Sequence, residues 1–290
     1  MVLKINRFHV FVFLTCLLTV LLIFAVNAEK KEKAVSAQGI SLPVVMYHHV
    51  TTNEKRAGKY VVRQEELAKD LDYIKSMGYE TVTVEDLIAY VDGKKQLPEK
   101  VILITFDDGF ESTYKLAWPL FTERKMKAVV SPIGSVTEMY TKNGDRNVNY
   151  AYMSWDQLAE IDKSDEFEVQ NHTYDMHYSQ SGKRKGLSRL SGESDEQYKE
   201  ILKNDLVKMQ SLLKENSGIA ATAAVYPFGL YSKPTLEVIK KIGFRCSMVC
   251  EERINKIEPG NPDSLYNLGR FNRPSGKPTE SFFSKLLESK

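Results

Sequence analysis

Val101-Ile102-Leu103-Ile104-Thr105-Phe106-Asp107-Asp108-Gly109 passes without a break from a strand-forming apolar run into two adjacent acids and a glycine. The apolar part reads as a buried strand. Two neighbouring carboxylates at its end repel each other and resist desolvation unless a cation or donors compensate them. A bound metal ion would do so, whereas a plain Asp-Gly turn is the simpler alternative.

Working outward, the same rhythm recurs on both sides. Pro43–Tyr47, Thr81–Thr83, Ala128–Ser131, Phe167–Asn171, Ala221–Tyr226 and Phe244–Val249 are short apolar, β-branched runs. Amphipathic stretches follow them at Gln64–Met77, Val84–Val91, Ser112–Arg124, Trp155–Ile161, Asp195–Glu215 and Lys233–Ile242, with a terminal helix expected near Thr279–Leu287. Alternation of this kind predicts βα units around a parallel sheet. The number of units suits an α/β fold with a closed or nearly closed (β/α) barrel of about seven parallel strands in a single domain. Ser179–Glu196 is polar and rich in Gly and Ser, carries Lys183, Arg184, Lys185 and Arg189, and reads as a long mobile insertion near the catalytic face.

The chain has 290 residues, 42% hydrophobic and 27% charged, an ordinary globular composition. Its net charge of +2 comes from Lys4 and Arg7, and without them Lys+Arg and Asp+Glu balance. A neutral body excludes the broad basic surface of a nucleic-acid binder. Phe8–Ala28 is uncharged and mostly apolar, long enough at about 1.5 Å per residue to reach about 32 Å across a bilayer core. Residues 1–28 therefore read as a signal peptide or an N-terminal membrane anchor, with Val26-Asn27-Ala28 as the cleavage candidate. Residues 29–41 read as a linker and residues 42–290 as the catalytic domain. Lys4 and Arg7 favour a cytoplasmic N-terminus, so the body is expected to be extracytoplasmic, membrane-anchored at the cell surface or secreted. Of three cysteines, Cys16 is in the leader. Cys246 and Cys250, four apart on an expected strand, would lie about 13 Å apart and need a bend to pair. They read as small buried side chains.

His172 and His177 close a second informative stretch, Asn171-His172-Thr173-Tyr174-Asp175-Met176-His177, among only five histidines in the chain. Five residues apart, they would not share a helix face, so a turn at a strand end must bring them together. With Asp108 they would make a three-ligand set that leaves a position for water, as in catalytic zinc sites, a surface histidine pair being the simpler alternative.

T-F-D-D-G at 105–109, the H-T-x-x-x-H spacing from His172, Tyr226-Pro227-Phe228-Gly229 and Met46-Tyr47-His48-His49-Val50 together resemble the NodB-homology polysaccharide deacetylases, carbohydrate esterase family 4. The chain is most similar to the branch of extracellular poly-N-acetylglucosamine deacetylases, over about residues 42–275. The resemblance implies a metal-dependent enzyme that removes acetate from an extracellular N-acetylated polysaccharide, whether poly-N-acetylglucosamine, peptidoglycan or a chitin-like glycan. It implies Asp107 as general base, Asp108, His172 and His177 as ligands of a divalent metal, and Tyr226, Pro227, Phe228 and Gly229 as a substrate or oxyanion site. Zinc suits the His₂Asp set, and cobalt, nickel or iron bind similar donors. The partners implied are the polysaccharide and, if the leader stays uncleaved, the membrane; no obligate protein partner is called for.

Two family features are absent. No arginine precedes the P-F-G turn within Ala220–Val225, and Arg270 is expected to orient the base instead. No histidine follows His177, so His48 is expected as active-site acid or substrate contact, while His49 should point away. Asp175 is a weaker candidate to orient a ligand imidazole. The alternative function is a surface carbohydrate-binding protein with little catalysis. A glycosidase fits poorly, because adjacent carboxylates do not flank a scissile bond.

Overall fold

The computed structural model describes residues 39–178 and 184–287. The leader, with Cys16, and most of the linker lie outside the described residues, as do residues 179–183 of the polar insertion. Among the described residues no helix is long and apolar enough to cross a membrane.

Strand β1 (Ile40–Leu42) leads into β2 (Val44–Tyr47), β3 (His49–Thr51) and β4 (Val61–Arg63), after which α1 (Gln64–Ser76) forms the first long helix. Then come β5 (Glu80–Val82), α2 (Val84–Val91), β6 (Val101–Asp108), α3 (Trp118–Arg124), β7 (Ala128–Pro132), α4 (Gly134–Asn143), α5 (Trp155–Asp162) and β8 (Phe167–Val169). The chain ends with α6 (Asp195–Ser217), β9 (Ala223–Val225), α7 (Thr235–Ile242), β10 (Cys246–Met248), β11 (Asn255–Ile257), β12 (Phe271–Asn272) and α8 (Thr279–Leu287).

The opening stretch of sequence is the hub of the sheet. β6 pairs in parallel with β2, from Val44 opposite Leu103 to Tyr47 opposite Phe106, and with β7, from Thr105 opposite Val129 to Asp108 opposite Pro132. β7 pairs with β8, β12 with β2, and β10 with β9, all parallel. Single bridges close the ring, Asn171 with Ala224 and Met248 with Leu268. Seven parallel strands, β2, β6, β7, β8, β9, β10 and β12, thus make the distorted barrel, and its two one-bridge seams are the distortion.

Alternation along the strands sorts the core. Val44, Leu103, Val129, Val225 and Met248 meet in one cluster, while Val45, Ile102, Ile104, Phe106 and Val130 meet Leu67 and Leu71 of α1, Phe121 of α3 and Phe283 of α8 in another. α6 buries Tyr198, Leu202, Leu206, Met209 and Leu213, a spacing of three and four that turns one face to the barrel. Ser194 caps its start and Gly218, left-handed, ends it.

The expected strand count holds, but one member changes. Thr81–Thr83 falls on β5, which pairs only with the first residues of β6. β12 takes the seventh place, and its two residues offer too short a run to register as a strand from hydrophobicity. α4 was not anticipated, because only Gly134 and Thr137 of it are buried and no apolar stripe marks it. The expected helix over Ser112–Arg124 opens as a π-helical turn at Thr113–Ala117. Ile40–Leu42, split between linker and domain by the expected boundary, instead pairs as β1 with β11. The described part of the polar insertion is docked rather than mobile: Leu187 is buried, its N–H donates to the Leu230 carbonyl, and its carbonyl accepts from the Tyr198 hydroxyl.

A buried ion pair joins the chain's end to its first long helix. The Arg273 guanidinium donates to both oxygens of Asp70 at 2.8 and 2.9 Å, and the Tyr47 and Thr279 hydroxyls add bonds at 2.9 and 2.6 Å. Neither side chain of the pair is exposed. Asp70→Ala leaves Arg273 buried without a counter-charge and should destabilise by about 3–5 kcal/mol in urea melts, with much of the loss recovered by adding Arg273→Leu. Nearby, burial raises the Glu66 carboxyl pKa, but Arg63, the Ser275 hydroxyl and the Gly276 N–H outweigh it and push the group down to about 2. A depressed carboxylate stabilises the fold above its unfolded pKa and loses that contribution as pH falls toward its folded value. Stability should therefore drop between about pH 4.5 and pH 2, and Glu66→Gln should flatten that acid limb in melts run across pH.

Candidate active site at the barrel mouth

β6 delivers two carboxylates to the mouth and then turns sharply. Asp108 has φ 70° and Gly109 φ 80°, and a Cβ on Gly109 would meet Pro132 Cβ at 2.7 Å. The left-handed pair of residues is what sends the adjacent carboxylates to different partners.

Asp107 stays buried and meets Arg270, whose guanidinium donates to Oδ1 at 2.6 Å and Oδ2 at 2.8 Å. Arg270 is itself fully buried; its Nε donates to the Val249 carbonyl at 3.0 Å and it reaches the Thr105 hydroxyl at 3.3 Å. Burial alone would raise the Asp107 pKa, but the Arg270 charge holds this carboxyl well below the usual range. The arginine missing ahead of the P-F-G turn is thus replaced, in contact with the base candidate, by one that precedes β12.

Asp108 faces the histidines. Its Oδ1 lies 3.5 Å from His172 Nε2 and 3.3 Å from His177 Nε2, and one donor atom from each of the three residues lies within 4.8 Å of the others. His172 is buried and its Nδ1 donates to the Val225 carbonyl at 2.9 Å, which leaves the Nε2 lone pair aimed at the carboxylate. Asp108 Oδ1 is buried with no hydrogen-bond partner among the described residues. Lone pairs converging on an orphaned carboxylate oxygen are a donor set for a cation, and the His₂Asp composition fits a divalent metal.

The loop carrying the histidines is braced from three sides. Thr173, at φ 72°, donates its N–H to Asn171 Oδ1 at 2.8 Å. Asp205 of α6 accepts the N–H groups of Tyr174 and Asp175, both at 2.8 Å. Gly134 and Ser135 donate to the Thr173 and Tyr174 carbonyls. Asp205 went unnoticed in the sequence, since a polar residue inside an amphipathic helix looks solvated, and Asn171 was read only as the end of a strand. Asp175 does not orient an imidazole as expected; it binds the Ser135 and Tyr178 hydroxyls, and the Val225 carbonyl takes the orienting role for His172.

The P-F-G turn lies beside His177. Phe228, at φ 58°, packs its ring 4.4 Å from the His177 ring. Gly229, at φ 66°, is forced by close approach, because a Cβ there would meet the Cys250 N at 2.4 Å. The Tyr226 and Gly229 N–H groups are used by Met248 and Tyr226 carbonyls, which leaves that of Phe228. The Tyr226 side chain, expected at a substrate site, is buried with Tyr198, Val238 and Ile239 away from the mouth, and Pro227 is buried as well.

His48 is half-buried, edge-on to the Tyr60 ring at 4.9 Å, with Nδ1 buried and without a hydrogen-bond partner among the described residues. Burial lowers its pKa, against the pull of Asp107 and Asp108. His49 points away, with Nε2 on the Asn149 carbonyl at 3.0 Å. Tyr152, unforeseen from sequence, stacks on Phe110 at 4.4 Å, and burial and the Asp108 charge both raise its pKa. Cys246 and Cys250 are free thiols, and Cys250 Sγ lies 3.8 Å from the Arg270 guanidinium.

The curated poly-beta-1,6-N-acetyl-D-glucosamine N-deacetylase of Escherichia coli (strain K12) is 26% identical over 250 residues, 80% of this chain and 37% of that protein. The enzyme of the same name from Staphylococcus aureus (strain MRSA252) is 28% identical over 213 residues, 73% of this chain and 68% of that one. The chain thus spans little more than a third of the Escherichia coli relative's length. Among solved structures, IcaB from Ammonifex degensii superposes with a TM-score of 0.66 at 28% identity, over 84% of this chain and 95% of that one. Streptococcus pyogenes deacetylase PplD in complex with acetate shares the fold, with a TM-score of 0.69 at 20% identity, over 86% of this chain and 99% of that one. The polysaccharide deacetylase family model matches residues 94–247, more than half of the sequence, and the chain belongs to that family.

Proposed function

We propose that this polysaccharide deacetylase is a metal-dependent N-deacetylase that releases acetate from an extracytoplasmic N-acetylated glycan, with poly-N-acetylglucosamine the first candidate. The observation that carries the reading is the split of two adjacent carboxylates, Asp107 locked by Arg270 and Asp108 left open toward two imidazole nitrogens. Asp108, His172 and His177 would hold the metal, zinc by donor preference with cobalt, nickel or iron as substitutes. A divalent ion bound there acidifies water and polarises an acetamide carbonyl.

Asp107 is the general base. Its bidentate pair with Arg270 fixes the plane of the carboxylate and keeps it ionised, ready to accept a proton from water. A carboxyl held so acidic returns that proton readily, and the departing amine nitrogen is the group that needs it. His48, half-buried at the mouth with burial pushing its pKa down, is a substrate contact rather than the acid. The Phe228 N–H is the backbone donor of the turn available to the developing oxyanion.

Residues 1–28, as signal or anchor, support placement of the body outside the membrane, and the relatives named for poly-N-acetylglucosamine support the choice of glycan. The missing late histidine is the observation behind the second reading, a glycan-binding protein of weak activity.

Acetate release from N-acetylglucosamine oligomers should be abolished by a chelator and restored by zinc. Asp107→Asn should lower kcat by about 10²–10⁴-fold while metal content, read by elemental analysis, is retained. Asp108→Ala and His172→Ala should lose the metal. Full activity of metal-free protein would overturn the mechanism, and glycan affinity without acetate release would favour the second reading.

A further inference from the structure

Two stacks of the same composition stand at the mouth. In one, the His48 ring meets Tyr60 at 4.9 Å and the Lys59 ammonium lies 5.1 Å from the Tyr60 ring centre. In the other, the His177 ring meets Phe228 at 4.4 Å and the Lys185 ammonium lies 5.5 Å from the Phe228 ring centre. Both begin on an imidazole at the site and end on a lysine.

They sit across the mouth from each other. His48 follows β2 and His177 follows β8; β6 and β7 stand between those strands on one side of the barrel, and β9, β10 and β12 on the other. Each lysine is held in place. Lys185 forms a backbone bridge with His177 itself, and the Lys59 carbonyl accepts from Asn272 Nδ2 at 2.9 Å. A cation within about 6 Å of an aromatic ring is also attracted to its face. Both lysines are exposed, Tyr60 is 49% exposed, and neither ammonium forms an ion pair with a described carboxylate, in a body where many other lysines and arginines do.

A glycan chain lying across the site sets its flanking sugars against these aromatic faces, and therefore beside the two free cations. An N-acetylated sugar is neutral, whereas its deacetylated product carries an ammonium near neutral pH. We propose that Lys59 and Lys185 make the enzyme sensitive to the charge of the sugars flanking the one attacked, favouring neutral N-acetylated neighbours and rejecting glucosamine. This rests on the N-deacetylase reading of the site. Its consequence is dispersed deacetylation, because each amine produced disfavours attack on the adjoining residues.

The test uses the full-length protein loaded with zinc and N-acetylglucosamine pentasaccharides whose central acetyl group is isotopically labelled. The flanking sugars are N-acetylglucosamine, glucose or glucosamine, at about pH 6, where the amine is protonated. Relative to glucose flanks, glucosamine flanks should lower kcat/KM for labelled acetate by about tenfold, and about 1 M salt should narrow that gap by screening. In the Lys59→Gln/Lys185→Gln double variant the ratio should fall to about twofold. Equal rates for glucose and glucosamine flanks in the unaltered protein, or an unchanged ratio in the double variant, would overturn the proposal. Absence of labelled acetate from every pentasaccharide, acetylated flanks included, would overturn the deacetylase reading and this inference with it.

Discussion

Two carboxylates on consecutive residues at the end of a buried strand are unstable unless each finds its own compensation, and most of the mouth is arranged around that requirement. Asp107 is met by a guanidinium that is itself fully buried, and Asp108 by two imidazoles that leave one of its oxygens without a hydrogen bond. The left-handed turn at Asp108 and Gly109 separates the two environments within one peptide unit. One carboxylate becomes a fixed, ionised acceptor and the other an open ligand, although their sequence context is nearly the same.

The barrel was legible in the sequence because its strands are apolar and β-branched and its helices carry stripes, and Val84–Val91 and Thr279–Leu287 match the observed helices to the residue. α4 and β12 escaped because one buries almost nothing apolar and the other is two residues long. At the site, Asp107, Asp108, His172 and His177 were visible as clustered residue types with few alternatives in the chain. Arg270 was visible only as a substitute for a missing family residue, and the structure brings it onto Asp107. The braces were not legible. Asn171 and Asp205 act by receiving backbone N–H groups, and a carboxylate that caps a distant loop has no local pattern. Tyr226 misled in the other direction, since Phe228 of the same motif lies at the mouth while the Tyr226 ring belongs to the core between α6 and α7.

The described part of the polar insertion links these observations. Gly186 sits so close to the P-F-G turn that a Cβ would meet the Pro227 carbonyl oxygen at 2.4 Å, and Lys185 bridges to His177. A segment whose composition reads as solvated is therefore part of the wall around the metal-ligand candidates.

Arg270 and Arg273 bond to partners 163 and 203 residues earlier in the chain. Contacts so distant in sequence form late, because the loop they close must first be brought together. During synthesis the two acids of β6 emerge long before the arginine that makes Asp107 tolerable inside the barrel, so a chain lacking its last segment holds an uncompensated buried charge. The site is therefore assembled by the same event that completes the barrel, and a chain folded only as far as β10 has neither Asp107 locked in position nor a stable place to keep its charge.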